Sequence, residues 1–206
     1  MKPKLSIIYI YYNTPKEIVG SISSLRDAVK NISYEILIVN NASPKKLPQE
    51  ITQNKKIAVL QNIENVGFGK AVNQAGEKTK GQYLLVINPD TLCMKNSIFL
   101  MIEQMEKDKK IGVLGPQLQK QNGEILHSIG SVPKLPDSIF VFSFLNKLFP
   151  SNSYSKKYWA RDVDRNLEQE TDTIGGACML FRKSVFLKVG GFDERFFMYF
   201  EEIDIC

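Results

Sequence analysis

The sequence predicts an α/β fold with a mostly parallel sheet covered by helices on both faces. Three observations carry this. Strand-like and helix-like runs alternate through the first half of the chain. The strand runs are near-continuous in apolar, β-branched and aromatic residues, the pattern of strands buried on both sides. Small polar residues and helix-opening signals follow the strands directly.

Leu5 to Tyr12 (LSIIYIYY) is the first strand by length and composition. Thr14 as N-cap, Pro15 at the first helical position and Glu17 closing a capping box then open a helix. Ile18, Ile22, Leu25 and Val29 form its apolar stripe. Glu35 to Val39 is a second strand, stopped by Asn40-Asn41-Ala42-Ser43-Pro44, and Ile57 to Leu60 a short third. Asn65-Val66-Gly67-Phe68-Gly69 opens a helix carrying Ala71, Val72 and Ala75, with Gly81 as its C-terminal stop. Tyr83 to Ile87 is a fourth strand, ending in Asn88-Pro89-Asp90. A helix with Ile98, Met101, Ile102 and Met105 follows, then a fifth strand, Ile111 to Leu114, and a hairpin turn at Asn122-Gly123.

From about Ser131 to Glu170 the rhythm breaks. Pro133, Pro136 and Pro150 flank an apolar run, Ile139 to Leu145, and a basic, polar stretch continues to Arg165. This reads as an insertion over the sheet edge. Two readings of the run stand: packing against the domain, or contact with a membrane surface or lipid acceptor, given Lys147, Lys156 and Lys157.

At 206 residues the chain fits one sizeable domain. A net charge of +5 comes from scattered lysines rather than one tract. That suits an anionic small molecule or an acidic membrane surface, and no nucleic-acid-binding signature accompanies it. Cys93, Cys178 and Cys206 have no metal-type spacing and read as reduced thiols of a cytoplasmic protein. No run approaches the roughly 20 apolar residues needed to cross a bilayer, and His127, alone beside the hairpin, reads as structural.

In open α/β sheets ligands bind beyond the carboxyl ends of the strands. Those ends here are Asn13-Thr14, Asn40 to Ser43, Asn62 to Gly69 and Asn88 to Asp90, all of them small and polar. The Asn65–Gly69 loop, at a helix start, is expected to turn backbone N–H groups toward a nucleotide. Asp90, directly after a buried strand, suits a hard divalent cation bridging phosphate oxygens. Near the C-terminus Asp193, Glu194, Glu201, Glu202 and Asp204 stand among Phe192, Phe196, Phe197, Met198, Tyr199 and Phe200. Carboxyl groups beside apolar surface favour the proton-bearing form and suit general-base or cation-binding work.

Four segments, VNNAS, NVGFGKAVNQA, GQYLLVINPDT and GGACMLFRKSVFLKVGGFDERFFMYFEEIDIC, together resemble a family 2 glycosyltransferase of the GT-A (Rossmann-like) fold. The resemblance is to the bacterial rhamnosyltransferase-like group that builds cell-surface polysaccharide, and it runs from Leu5 to Cys206 apart from the 131–170 loop. It implies a small antiparallel portion on the acceptor side of the sheet. It also implies inverting transfer of a sugar, rhamnose among the candidates, from a UDP- or dTDP-linked donor to a glycan or lipid-linked acceptor. Asn88-Pro89-Asp90 stands where the family has a DxD-like motif, so Asp90 is the inferred Mn²⁺ or Mg²⁺ ligand. Tyr11, Asn13 and Asn40 fall at base- and ribose-binding positions. Glu201-Glu202 matches the acidic pair whose second member deprotonates the acceptor hydroxyl, and Asp193 falls on the acceptor side.

Two departures stand out. Asn40 and Glu202 both replace an Asp usual in the family, so Asp204 or Asp193 is an alternative base. The chain also stops at Cys206 without a helix stop signal, whereas family members continue. The expectation is therefore one domain over 1–206, truncated at its end, with a nucleotide-sugar half at 1–115 and an acceptor half at 116–206. Further expectations are action at the inner face of the cell membrane, peripheral membrane association and a homodimer. A non-catalytic sugar-nucleotide-binding subunit is the alternative class. A nucleotidyltransferase is disfavoured because no Gly-rich basic loop follows Tyr12.

Overall fold

The computed structural model describes residues 2–132, 134–149, 152–160 and 163–206. Pro133 and Pro150 of the predicted insertion lie outside the described residues. The chain forms two compact units: residues up to Pro116 together with Gly176–Ile205, and Gln117–Gly175.

The first unit begins with β1 (Leu5–Tyr11), α1 (Pro15–Ala28), β2 (Tyr34–Asn40), α2 (Gln49–Thr52), β3 (Ile57–Gln61), α3 (Phe68–Lys78), β4 (Tyr83–Ile87), α4 (Ser97–Lys107) and β5 (Val113–Leu114). The second unit holds β6 (Ile129–Gly130), α5 (Leu135–Phe142), α6 (Leu145–Leu148), α7 (Ser153–Tyr158) and β7 (Thr173–Ile174). The chain then returns to the first unit as β8 (Cys178–Arg182), α8 (Lys183–Val189) and α9 (Glu201–Ile205).

Six strands form one sheet in the order β3-β2-β1-β4-β8-β5. β1 pairs in parallel with β2 and β4, and β2 with β3. β8 runs antiparallel between β4 and β5, with Leu85 opposite Leu180 and Leu114 also opposite Leu180. Residues 176–205 pack with the nucleotide-side half because β8 supplies that sheet's missing neighbour. The excursion is therefore the whole stretch 117–175, wider than 131–170. The fifth strand is the two residues Val113 and Leu114, opposite Phe181 and Leu180, at the end of the expected 111–114 run.

β4 is buried at all five positions and β1 at six of seven. The Tyr9 hydroxyl bonds to Ser21 of α1 at 2.9 Å, and Tyr83 donates to Glu106 of α4 at 2.8 Å. One face of the sheet therefore lies under α1 and α4. On the other, Leu84 and Phe186 of α8 crowd Gly76 of α3. Covering both faces is what makes the strands read as unbroken apolar runs.

Two helix-end readings change. Thr14 makes no side-chain cap bond, and its Oγ1 is buried without a partner among the described residues. The capping box does not form; the first helical bond runs from the Ile18 N–H to the Thr14 carbonyl (3.2 Å). Gly81 does not stop α3, which ends at Lys78 with Thr79 extended. A Cβ on Gly81 would lie 2.6 Å from Ser6 N and Oγ, so this glycine lets β4 start tight against β1.

In the second unit the predicted turn forms: Lys120 and Glu124 pair across Asn122-Gly123, with Gly123 at φ 86°. β6 and β7 form an antiparallel pair. His127 lies against the Arg165 guanidinium (2.5 Å), which also donates to the Trp159 and Ala160 carbonyls, a structural setting. α5 packs on α7 through stacked Phe140 and Tyr154 rings, 4.7 Å apart. A cavity of about 600 Å³ in this unit is lined by Ile129, Lys156, Lys157, Glu170 and Asp172 among others. Among the described residues no helix is long and apolar enough to cross a membrane.

Candidate active site

The carboxyl ends of β1 and β2 are tied to each other. The Asn13 N–H donates to Ser43 Oγ (2.9 Å), and the Ser43 N–H to Asn40 Oδ1 (3.0 Å), while Asn40 Nδ2 donates to Gln61 (2.8 Å). Asn13 and Ala42 both adopt left-handed backbone, φ 63° and 56°. Such strain in residues other than glycine gathers where a ligand site fixes the backbone. Asn13 stays exposed and Asn40 half-buried.

Tyr11 is different. Its ring is buried and its hydroxyl is directed at the carbonyls of Lys45 (3.0 Å) and Lys46 (2.9 Å). It clamps the loop after β2 from below instead of presenting a face to a ligand, because β1 is still enclosed on both sides at that position.

The Asn65–Gly69 loop also departs from expectation. Three of its N–H groups are already engaged: Val66 N–H goes to Asn41 Oδ1 (3.1 Å), Gly67 N–H to Asn65 Oδ1 (3.0 Å) and Phe68 N–H to the Phe197 carbonyl (2.9 Å). Gly67 (φ 86°) has no room for a Cβ, which would meet the Phe197 carbonyl at 2.5 Å. Asn65 and Gly67 thus hold the acidic C-terminal segment in place.

The hub of this arrangement is Asn41, which sequence reasoning passed over. It is buried and bonds to Asn65 Oδ1 (2.7 Å), the Gly67 carbonyl (3.1 Å), Asn62 Nδ2 (3.0 Å) and Val66 N–H. Asn41→Ala strips all four and orphans buried partners. A loss of about 3 kcal/mol is expected, read as a fall in Tm of roughly 6–12 °C for a chain of this size. An unchanged melting curve would remove Asn41 from this role.

Asn73 does the same for the GGFDE segment. Its amide bonds to both the N–H (2.9 Å) and carbonyl (2.8 Å) of Phe192, and it reaches Glu194 at 3.2 Å. A Cβ on Gly69 would sit 2.9 Å from Phe192 Cβ, and one on Gly191 would collide with Asn73. Phe192 itself is buried among Phe68, Phe181 and Phe186.

Asp90 lies in a turn closed by the Thr91 N–H on the Asn88 carbonyl (3.1 Å). That turn hangs on β8: the Asn88 N–H and Thr91 hydroxyl both donate to the Ala177 carbonyl, at 2.9 and 3.3 Å. The Asp90 side chain is exposed and makes no hydrogen bond or ion pair among the described residues. Glu202 approaches the neighbouring residue, its Cβ and Cγ 3.6 and 3.8 Å from where a Cβ on Gly176 would stand. The Gly176-Ala177 step thus carries the Asp90 turn on one side and Glu202 on the other.

Four of the five C-terminal acids divide by environment. Oε2 of Glu201 and of Glu202 is buried with no partner among the described residues. Burial raises the Glu201 pKa, opposed by a backbone hydrogen bond and helped by the adjacent Glu202. Asp193 moves the other way. Arg195 grips it through Nε and Nη2, holding its carboxyl down at about 2, so the expected general-base character does not extend to it. Asp204 is exposed on α9. The aromatic neighbours Phe197, Met198, Tyr199 and Phe200 are themselves exposed. Tyr199 and Phe200 are consecutive left-handed residues, φ 68° and 71°, directly before Glu201.

Among the described residues no three His, Cys, Asp or Glu side chains gather to form a protein-only metal cage. A free carboxylate at Asp90 nonetheless fits an ion that takes one or two carboxylates and completes its shell with substrate phosphates and water.

The glycosyl transferase family 2 model matches residues 6–190. An N-acetylglucosaminyl-diphospho-decaprenol L-rhamnosyltransferase of Mycobacterium tuberculosis is 27% identical, over 100% of this chain and 70% of its own length. The rhamnosyltransferase WbbL of Escherichia coli is 29% identical, over 84% of this chain and 65% of its own. The solved structure of GalNAc-T7 with UDP, GalNAc and Mn²⁺ superposes with a TM-score of 0.71 at 16% identity, covering 99% of this chain and 39% of that one. The last likeness is one of fold, and it identifies the six-stranded sheet with its inserted antiparallel strand as GT-A. On the match from residue 6 to residue 190, the chain belongs to glycosyl transferase family 2.

Proposed function

We propose that the chain transfers a sugar, with inversion, from a nucleotide-diphosphate sugar to a hydroxyl of a lipid-linked or glycan acceptor in cell-surface polymer synthesis. The observation that carries this is the Gly176-Ala177 step, which anchors the turn of an unengaged Asp90 at Ala177 and meets Glu202, with its unpartnered oxygen, at Gly176. Both relatives above are named as rhamnosyltransferases, one with a diphospho-decaprenol acceptor, which supports a deoxyhexose donor and a lipid-linked acceptor. Such an acceptor would put the reaction at a membrane face.

In this reading the nucleoside lies over Asn13 and Asn40, at the ends of β1 and β2, with Tyr11, Asn65 and Gly67 bracing those loops from beneath. Asn88 shapes the turn that presents Asp90 to the diphosphate. Bound Mn²⁺ or Mg²⁺ would neutralise charge on the leaving diphosphate. Glu202 takes the proton of the acceptor hydroxyl as its oxygen bonds to the anomeric carbon and the bond from that carbon to the diphosphate breaks. Glu201 lines the acceptor side, while Asp193 stays paired with Arg195.

A thermal-shift screen against UDP-, dTDP- and GDP-sugars with Mn²⁺, followed by assay of nucleotide-diphosphate release with a lipid-diphosphate sugar acceptor, tests this. One donor class is expected to stabilise the chain and to turn over when acceptor is added. No stabilisation by any donor would sink the proposal. Binding without turnover would favour the non-catalytic subunit, a reading kept open by the Asn40 amide, which brings no charge and is already engaged by Ser43 and Gln61.

A further inference from the structure

We infer that the α5–α7 helices of the second unit form a docking surface for an anionic lipid bilayer. These helices bury one face and leave the other apolar. Phe140 stacks on Tyr154, while Val141 and Tyr158 are buried. Outside that contact Leu135 is 78% exposed, Phe144 70%, Leu148 63%, Phe149 59% and Ile139 51%. Leu135 and Ile139 are one helical turn apart, as are Phe144 and Leu148, so they project in pairs from successive turns. Five large apolar side chains this open within fifteen residues exceed the scattered exposure normal on a soluble surface.

Charge selects the occupant. From Lys134, just before α5, to Asp162, just past α7, the chain carries Lys134, Lys147, Lys156, Lys157 and Arg161 against only Asp137 and Asp162, a net excess of positive charge. Lys147 and Lys157 are exposed, and among the described residues no ion pair ties Lys147, Lys156 or Lys157 to an acid. Apolar side chains beside unpaired cations are the chemistry of a helix lying in the headgroup region of an anionic leaflet. A protein partner would have to present an apolar face ringed with acids; a bilayer containing phosphatidylglycerol presents both features continuously. Trp159, partly exposed at the C-terminal end of α7, has an indole suited to that interfacial depth. The inference rests on the lipid-linked acceptor only for its purpose, since vesicle binding and sugar transfer are separate measurements and either can fail alone.

Trp159 is the only tryptophan of the chain and therefore reports on this unit alone. With vesicles of phosphatidylcholine containing about a third phosphatidylglycerol, the full chain should co-sediment and its tryptophan emission should shift to the blue. Binding should weaken at least tenfold on pure phosphatidylcholine or when salt is raised from about 0.1 to 0.5 M. Phe144→Ser with Leu148→Ser should cut the partition coefficient at least tenfold with the far-UV spectrum unchanged. Lys147→Glu with Lys157→Glu, both at exposed positions, should remove the preference for the anionic lipid. Three results would overturn the inference: no sedimentation with anionic vesicles, vesicle binding with Trp159 emission unmoved, or a dimer in the analytical ultracentrifuge that the Phe144/Leu148 variant dissociates. The last would assign the surface to a second copy of this chain.

Discussion

Glu202→Gln is expected to abolish sugar transfer, lowering kcat by about a thousandfold or more, with donor affinity unchanged. Glutamine keeps the shape and the packing of Cβ and Cγ against Gly176, and removes only the ability to accept a proton. The Glu202 Oε2 has no partner among the described residues, so a hydroxyl brought to it meets an acceptor not already engaged. Asp193 is the weaker candidate, since Arg195 holds its carboxyl down at about 2. Glu201, whose pKa burial raises, is the control beside it: Glu201→Gln should weaken acceptor use while leaving proton removal at Glu202 intact. Glu202→Asp should retain turnover, because it preserves the base and restores the length usual in the resembled family. Single-turnover release of nucleotide diphosphate, with donor affinity measured separately by calorimetry, gives both quantities. If Glu202→Gln turns over normally while Asp193→Asn or Asp204→Asn does not, the base lies at that residue instead.

The strands were legible because β1, β2 and β4 are covered on both faces, which leaves little choice but unbroken apolar runs. The strand ends stand out as a candidate site for a different reason, since four strands finishing in Asn and Asp is not a packing requirement. What composition hid is which polar groups face outward. Tyr11 and the Asn65–Gly69 loop look like ligand-facing elements in sequence, yet they hold other backbone in place. The same is true of GGFDE, whose Gly191 and Phe192 fit against α3. A signal for this exists in α3: Gly69, Asn73 and Gly76 stand at i, i+4 and i+7, on one face of the helix. Small residues flanking an amide on an otherwise apolar stripe mark a face approached by backbone, not by side chains. The direction of β8 had no such signal. A buried strand reads alike in either orientation, and only its place between β4 and β5 shows it to be antiparallel.

Asp90→Ala should erase the effect of Mn²⁺ on nucleotide binding and leave the fold untouched. The two halves of this expectation have separate causes. The turn is closed by the Thr91 N–H on the Asn88 carbonyl and anchored by the Asn88 N–H and Thr91 hydroxyl on Ala177, none of which involves the Asp90 side chain. Removing an exposed carboxylate with no bonded partner among the described residues should therefore change stability by no more than about 0.5 kcal/mol. The nucleoside contacts proposed at Asn13 and Asn40 also remain, so metal-free affinity for UDP or dTDP should hold. A divalent ion, however, needs a hard oxygen anchor besides the diphosphate itself, and no cluster of acids among the described residues offers a replacement. Native chain should bind nucleotide diphosphate about tenfold or more tighter with Mn²⁺ than with EDTA, and the variant equally in both. A variant that keeps the full Mn²⁺ enhancement would show that the ion, if bound, is held elsewhere. Asp90→Asn sharpens the comparison: it keeps an oxygen at the same place without the charge, so a partial Mn²⁺ response there, with none in Asp90→Ala, would locate the ligand at this side chain.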